Sequence, residues 1–284
     1  MSDREGNDFT GKVAFITGVG RGQGRSHALA FARRGADVGG VDICAPIETV
    51  PYAMANEDDL QVTRQSLRDV GARTVLEVAD VRDREGLQSA VTKVLDELGR
   101  IDVVVANAGI FSVGNAFELS PQAWLDVLDV NLTGAWNTVQ ACLPALVASG
   151  EGASIVLTSS IGGVQGLLGC PHYVASKHGV IGLMQSLANE LGEFGIRVNA
   201  VCPTNVNTPM IQNEANYRTF RPDLESPTEE EVAEVARKMH LLDVPWIEPE
   251  EVSAAVTWLA SSSAKSVTGV ALPIDAGLLT KVAN

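Results

Sequence analysis

Short apolar runs rich in β-branched residues alternate with longer helical patterns along almost the whole chain, and this alternation constrains the fold more than any other feature. Strands are expected near residues 12–17, 36–42, 73–79, 101–106, 153–159, 196–202 and 269–274. Strand, helix and strand in repetition build a parallel sheet, because each crossover helix must pack back onto the sheet it has just left. The expectation for 284 residues is one α/β domain over 1–284, doubly wound, with a seven-stranded parallel sheet and helices on both faces.

The first expected strand, Val13-Ala14-Phe15-Ile16, runs into Thr17-Gly18-Val19-Gly20-Arg21-Gly22-Gln23-Gly24, and a helix from Gly24 to Arg34 follows, stopped by Gly35. Glycines at 18, 22 and 24 permit a tight turn and a close backbone approach, so that N–H groups opening the helix can face a pyrophosphate. An ordinary glycine turn is the plain alternative. Asp42 ends the second strand eighteen residues past Gly24. A carboxylate there accepts hydrogen bonds from both hydroxyls of an adenosine ribose and repels a 2′-phosphate. Arg21 would favour such a phosphate, yet Ile43 adds no second cation, so NAD is expected over NADP. Asp80-Val81 and Asn107-Ala108-Gly109 follow the third and fourth strands on the same carboxyl edge, where they would border the adenine and its ribose. Turn chemistry alone also accounts for both.

Tyr173-Val174-Ala175-Ser176-Lys177 sets a phenol and an ammonium four residues apart, which on a helix brings their Cβ atoms to roughly 5–6 Å. A lysine cation favours phenolate over phenol, so a group with an ordinary pKa of about 10 is drawn toward neutral pH. That is equipment for taking a proton from an alcohol; a solvated helix face is the bland reading. Ser160 closes the run Ile155-Val156-Leu157-Thr158-Ser159-Ser160 thirteen residues before Tyr173, at a strand's carboxyl end, with Ser159 as the competing hydroxyl. Asn131, in Leu128-Asp129-Val130-Asn131-Leu132, suits a helix interior poorly unless its amide is partnered. A purely structural buried Asn is the alternative there.

Taken together, TGVGRGQG, NAG at 107–109, Asn131, Ser160, YVASK at 173–177 and PTNVNTPM at 203–210 resemble the short-chain dehydrogenase/reductase family, from about Lys12 to Gly277. The resemblance implies a single Rossmann domain, usually assembled as a homotetramer. It assigns Tyr173 as catalytic acid/base, Ser160 as donor to the substrate oxygen, Lys177 as partner of the ribose hydroxyls and the phenol, and Asn131 as a water-holding relay. Thr208 would contact the nicotinamide carboxamide, with Pro203 and Val206 beside it in the cofactor site. Gln23 departs from the usual isoleucine of the glycine motif, and Thr204 from the glycine that commonly follows Pro203. The long connection at 43–60 and the motif TGVGRGQGRSHA resemble an actinobacterial branch, the carveol-dehydrogenase-like enzymes linked to the redox peptide mycofactocin. In that branch NAD scarcely exchanges, and an external acceptor must reoxidise it. A loop extending from the ribose-binding strand and folding over the dinucleotide would have that effect.

The substrate expected is a fairly apolar secondary alcohol or its ketone, since Val164, Leu167, Leu168, Met210 and Trp246 would border the pocket. A monoterpenol such as carveol fits, as do small cyclic alcohols and steroids. An ordinary, freely exchanging NAD dehydrogenase shares every catalytic residue; an NAD-sensing binding protein on the same fold has less need of Tyr173 and Lys177. Residues 204–248, rich in proline, read as a substrate loop carrying a helical piece around Thr228 to His240.

The net charge of −14 repels a phosphate backbone and an anionic membrane alike, so no nucleic acid or membrane partner is expected. Cys44, Cys142, Cys170 and Cys202 form no CxxC pair, and His27, His172, His178 and His240 show no ligand spacing, so no metal is expected. The polar, acidic start lacks a secretion signal and no apolar stretch reaches spanning length, which predicts a cytoplasmic protein with a flexible tail over 1–10. Helical patterns at 115–149 and 172–192 flank the site, and in related proteins such helices form the subunit interface.

Overall fold

The computed structural model describes residues 8–150 and 152–282. Seven strands, β1 (Val13–Thr17), β2 (Asp37–Asp42), β3 (Thr74–Val78), β4 (Val103–Ala106), β5 (Ser154–Thr158), β6 (Arg197–Pro203) and β7 (Ala271–Ile274), make one sheet in the order 3-2-1-4-5-6-7. Every pairing is parallel. The chain order reverses between β1 and β4, and the carboxyl ends of strands at such a switch point open a crevice for ligands.

Alternate residues of one strand enter opposite cores. Phe15 and Val13 of β1 join Val104, Ile155 and Leu157 on one face, under α3 (Arg84–Leu98), α5 (Gly134–Ser149) and α6 (Pro171–Leu191). Ala14 and Ile16 join Val38, Val105 and Val156 on the other, under α1 (Gly22–Arg33), α2 (Glu57–Asp69) and α9 (Pro249–Ala260). With both faces covered, the strands need continuous apolar sequence, which is why β-branched runs mark them so clearly. Each fully buried Ile, Leu, Val or Phe contributes about 1.5–3 kcal/mol to that double core. Gly39 in β2 lets α3 approach: a Cβ there would lie 2.7 Å from the Val94 methyls.

The structure corrects three expectations. The helical pattern at 115–149 is broken into α4 (Pro121–Leu128), a π-helical turn at Asp129–Thr133, and α5. The connection at 43–60 ends earlier than read, because Asn56 caps α2 through a reciprocal pair with Asp59 and the last four residues are helical. The tail expected over 1–10 is fixed at its end, where Phe9 is buried edge-on to Phe31 at 4.9 Å; residues 1–7 lie outside the described residues. Within 204–248, α7 (Glu214–Phe220) and α8 (Glu229–Met239) form, the latter capped by Thr228 and followed directly by His240. No helix among the described residues is long and apolar enough to cross a membrane. No group of three His, Cys, Asp or Glu among them could hold a metal ion.

Candidate active site

At the carboxyl end of β1 the turn is built on left-handed glycines, Gly18 (φ +71°) and Gly22 (φ +52°), which a side chain would strain. A Cβ on Gly24 would fall 2.0 Å from the Gly18 carbonyl oxygen, so the turn folds back against the first turn of α1 only with glycine there. The groove this opens is lined by Gly18, Arg21, Gly22, Gln23, Gly24, and by Asp42 and Ile43. Asp80, Val81, Asn107, Ala108, Gly109 and Thr208 complete it, so the expected cofactor residues from β1 to β4 share one groove.

Asp42 is buried at the end of β2; its Oδ2 accepts from the Gly20 N–H at 2.9 Å and its Oδ1 from Cys44 N–H at 3.2 Å. Each carboxylate oxygen keeps a further lone pair for a hydroxyl in the groove. Asp80 is less free, because Arg82 takes both of its oxygens, in an ion pair at 2.6 Å and a backbone hydrogen bond at 2.9 Å. Asn107 Nδ2 donates to Thr17 O at 3.0 Å and so ties β4 to β1. Gln23 faces both the groove and the adjoining cleft, and its Oε1 is buried without a partner among the described residues. A buried acceptor is costly unless something donates to it, and an NAD-type dinucleotide supplies hydroxyl and amide donors. The glycine cradle, the Asp42 carboxylate and this orphaned oxygen fit such a group.

Beside the groove, Ser160, Tyr173, Lys177, Pro203, Val206 and Thr208 line one cleft with Gln23, Asn107 and Gly109. Strand phase separates the two competing serines. Ser159 donates to the Lys177 carbonyl at 2.9 Å and holds α6, while the Ser160 hydroxyl, accepting from Gly162 N–H at 3.1 Å, faces the Tyr173 phenol. Lys177 Nζ donates to Thr158 O at 2.8 Å and lies 5.6 Å from the Tyr173 ring centre. Two of its three ammonium hydrogens are left for the cleft. Gly109 sits between Asn131 and Lys177: a Cβ there would be 3.3 Å from Asn131 Oδ1 and 3.4 Å from Lys177 Nζ. Thr208 donates to Val206 O at 3.3 Å and packs its methyl toward Gly22.

The electrostatics depart from the sequence reading. Burial pushes the Tyr173 phenol up to about 12, against a smaller opposing effect of Ser160, and burial pulls the Lys177 amine down to about 8. Desolvation penalises whichever form is charged, and in this cleft it is the largest influence on both groups. Asn131 also differs. Its Oδ1 accepts from Ile110 N–H at 2.8 Å, and its Nδ2 donates to Ile110 O at 3.0 Å and Ser176 Oγ at 3.2 Å. With both amide hydrogens taken, the side chain braces Ile110 and has only its oxygen to offer a water relay.

Of the five apolar residues expected at the pocket border, Met210 alone lines groove and cleft. Leu167 lies one step away, near Gly162 and the Tyr173 ring, whereas Leu168 is 98 % exposed and Val164 47 %. Neither these two nor Trp246 lines groove or cleft. The apolar lining comes instead from Ile110, Val206 and Ile211. Sequence reasoning also missed Ile47, Tyr52, Met54 and Ala55, all from the 43–56 connection, which wall the groove. Tyr52 accepts at its hydroxyl from Phe111 N–H at 3.2 Å, Thr49 Oγ1 donates to Asp126 Oδ2 at 2.7 Å, and the Arg21 guanidinium donates to Ala53 O. The length of the connection and the apolar and aromatic residues within it were the signals available for this strap.

Residues 18–279 match the family pattern described as Enoyl-(Acyl carrier protein) reductase. A putative short-chain type dehydrogenase/reductase of Mycolicibacterium smegmatis is 48 % identical over 275 residues, covering 95 % of this chain and 98 % of the relative. The (-)-trans-carveol dehydrogenase of Rhodococcus erythropolis is 45 % identical over 272 residues, with 95 % and 98 % covered. The crystal structure of carveol dehydrogenase from Mycobacterium avium in complex with NAD superposes with a TM-score of 0.95 at 48 % identity, covering 96 % of this chain and 99 % of that one. A short-chain dehydrogenase from Mycobacterium paratuberculosis bound to NAD follows at 0.88 and 38 %, covering 96 % and 100 %.

Proposed function

The chain belongs to the short-chain dehydrogenase/reductase family and is one of its NAD-dependent oxidoreductases, and from that premise we propose that it interconverts a fairly apolar secondary alcohol, a monoterpenol such as carveol or a similar one, and its ketone. The observation that carries this reading is the meeting of the Ser160 hydroxyl, the Tyr173 phenol and the Lys177 ammonium in one cleft that opens onto the dinucleotide groove.

In the oxidative direction Tyr173 takes the hydroxyl proton while the carbinol C–H bond breaks. Bound NAD supplies the hydride acceptor and, in its oxidised form, a positively charged ring. Ser160 donates to the substrate oxygen as charge develops on it. Lys177, anchored on Thr158 O, has two further hydrogens that would hold the ribose hydroxyls of bound NAD and face the phenol, where its cation would favour the ionised form. A base with a high intrinsic pKa is suited to accept an alcohol proton only with such support, which the apolar wall of Ile110, Val206, Met210 and Ile211 strengthens by lowering the local dielectric. The same wall favours an uncharged substrate.

The proposal includes firmly held NAD reoxidised by an external, mycofactocin-type acceptor. What supports it is the strap from Ile43 to Asn56, tied over the groove through Tyr52, Thr49 and Arg21. It also includes a homotetramer, supported by the exposed Trp124, Leu125, Trp136 and Val147 on α4 and α5; light scattering of the purified protein checks the mass.

The test is an alcohol panel with an artificial electron acceptor, run on wild type and Tyr173→Phe, with NAD content measured by mass analysis after denaturation. Turnover should fall by at least about 10²-fold, the usual contribution of a positioned acid/base, with NAD content unchanged. Near-wild-type turnover in the variant would remove Tyr173 from its role. Preference for charged hydroxy acids would refute the apolar substrate, and steady turnover on added NAD with no acceptor present would favour a freely exchanging dehydrogenase.

A further inference from the structure

Thr204, where the family usually has glycine, has a partner. It follows directly on β6, is buried, and lines the catalytic cleft together with Ser160, Tyr173 and Lys177. Its N–H donates to Ile274 O at 3.1 Å, which fixes the backbone to β7. Its Oγ1 lies 2.8 Å from Nε2 of His240, the residue just after α8 and only 2 % exposed. The other imidazole nitrogen, Nδ1, lies 2.7 Å from Val244 O. A carbonyl can only accept, so Nδ1 carries the hydrogen; in the neutral imidazole Nε2 is then the acceptor, and Thr204 donates to it. One hydrogen-bonded chain, Thr204 to His240 to the Val244 carbonyl, therefore joins the two ends of the 205–239 arm.

The arm carries further ties at its base, Asn207 N–H to Ile247 O at 2.9 Å and Ile247 N–H to Asn205 O at 3.0 Å, with the Asn207 amide donating to the Glu248 carboxylate at 3.0 Å and 3.2 Å on the exposed side. Its return leg is docked on the C-terminal stretch, with Leu241 and Leu242 N–H donating to Ala276 O and Lys281 Nζ donating to His240 O at 2.8 Å. The first residues of the arm, Val206, Thr208, Met210 and Ile211, wall the cleft. Whatever sets the arm's base sets that wall.

We propose that Thr204 and His240 form a pin that holds the 205–239 arm closed on the catalytic cleft, so that they act as positioning residues for alcohol capture and not for proton transfer. A glycine at 204 has no hydroxyl to offer and leaves Nε2 of a buried imidazole unpaired. The inference rests on the dehydrogenase reading for its kinetic consequence, while its structural consequence does not depend on turnover.

The test is a double-mutant cycle on the NAD-containing enzyme with Thr204→Val, which keeps shape and removes the donor, and His240→Leu. Hydrogen exchange over 205–239 should quicken about tenfold in each single variant, the effect of one buried hydrogen bond, with the strands unchanged. The alcohol KM should rise about tenfold while kcat stays within about threefold, the double variant should be no worse than His240→Leu, and His240→Gln, which keeps an acceptor in reach of Thr204, should recover most of the loss. Unchanged exchange in the arm overturns the pin whether or not any alcohol is turned over. Faster exchange with unaltered KM, or additive effects in the double variant, overturns its role at the site.

Discussion

Lys177 carries the sharpest prediction available from single residues. Burial holds its amine near a pKa of about 8, so it is a cation at pH 7 and loses that charge as the pH rises through 8. The phenol beside it, pushed up to about 12, depends on nearby positive charge to ionise. Lys177→Met should therefore cut alcohol oxidation by at least about 10²-fold at pH 7 and regain part of it toward pH 10, where solvent supplies the ionisation the lysine no longer favours. Tyr173→Phe should stay inactive across the range. A pH–rate profile separates the two, and a loss of equal size at pH 7 and pH 10 in Lys177→Met would show that the amine does not act on the phenol. The pair was legible in the sequence because a spacing of four fixes it on one helix face, with no tertiary information needed. The choice between Ser159 and Ser160 was less so, since it turns on strand phase and on which hydroxyl the Lys177 carbonyl captures. The high phenol pKa was not legible at all, because burial belongs to the assembled cleft.

Elements were read well where the pattern is local and poorly where a distant contact decides. The strands stand out because sheet faces covered on both sides demand unbroken apolar runs. The split of the 115–149 helix did not, since the π-helical turn is where the Asn131 amide reaches Ile110, a contact that periodicity cannot anticipate. The 43–56 connection was visible as an overlong loop; what it touches was not. Its two side-chain ties, Tyr52 to Phe111 N–H and Thr49 to Asp126, cross to separate parts of the molecule, and Asp126 is itself held by Arg82 at 3.4 Å and Gln122 at 2.9 Å. Removing both ties with Tyr52→Phe and Thr49→Val deletes two hydrogen bonds of about 0.5–1.5 kcal/mol each. The dinucleotide should then leave roughly ten- to a hundredfold faster, measured as NADH fluorescence lost on dilution into excess NAD. An unchanged rate would mean that the apolar wall of Ile47, Met54 and Ala55 retains it instead.

At the scale of the whole molecule, acid stability turns on the seam between α1 and α9. His27 is fully buried there, with Nδ1 2.7 Å from Ser253 Oγ. Ser253 Oγ also lies 2.9 Å from Pro249 O, which can only accept, and 2.8 Å from Ser26 Oγ; with the serine proton on the carbonyl, Nδ1–H is the donor to Ser253. Nε2 is then a bare acceptor, buried without a partner among the described residues. Protonating it would place an unpaired charge inside the seam, and burial accordingly lowers the pKa from 6.5 to about 3. A histidine lowered on folding binds its proton in the unfolded chain first, so its share of stability is complete above pH 6.5 and is lost as the pH falls from there toward 3. Between pH 7 and pH 5 the loss is about 2 kcal/mol, at about 1.4 kcal/mol per pH unit once below 6.5. Urea denaturation at both pH values, with protein and NAD concentrations fixed, should show that drop in wild type, and His27→Gln should lower stability at pH 7 yet flatten the difference by about the same 2 kcal/mol. An equal drop in both proteins would assign the acid sensitivity elsewhere. His172, also lowered by burial, would then be the group to replace, because it titrates with the same sign and sits in the first turn of α6 beside Tyr173, away from the α1–α9 seam.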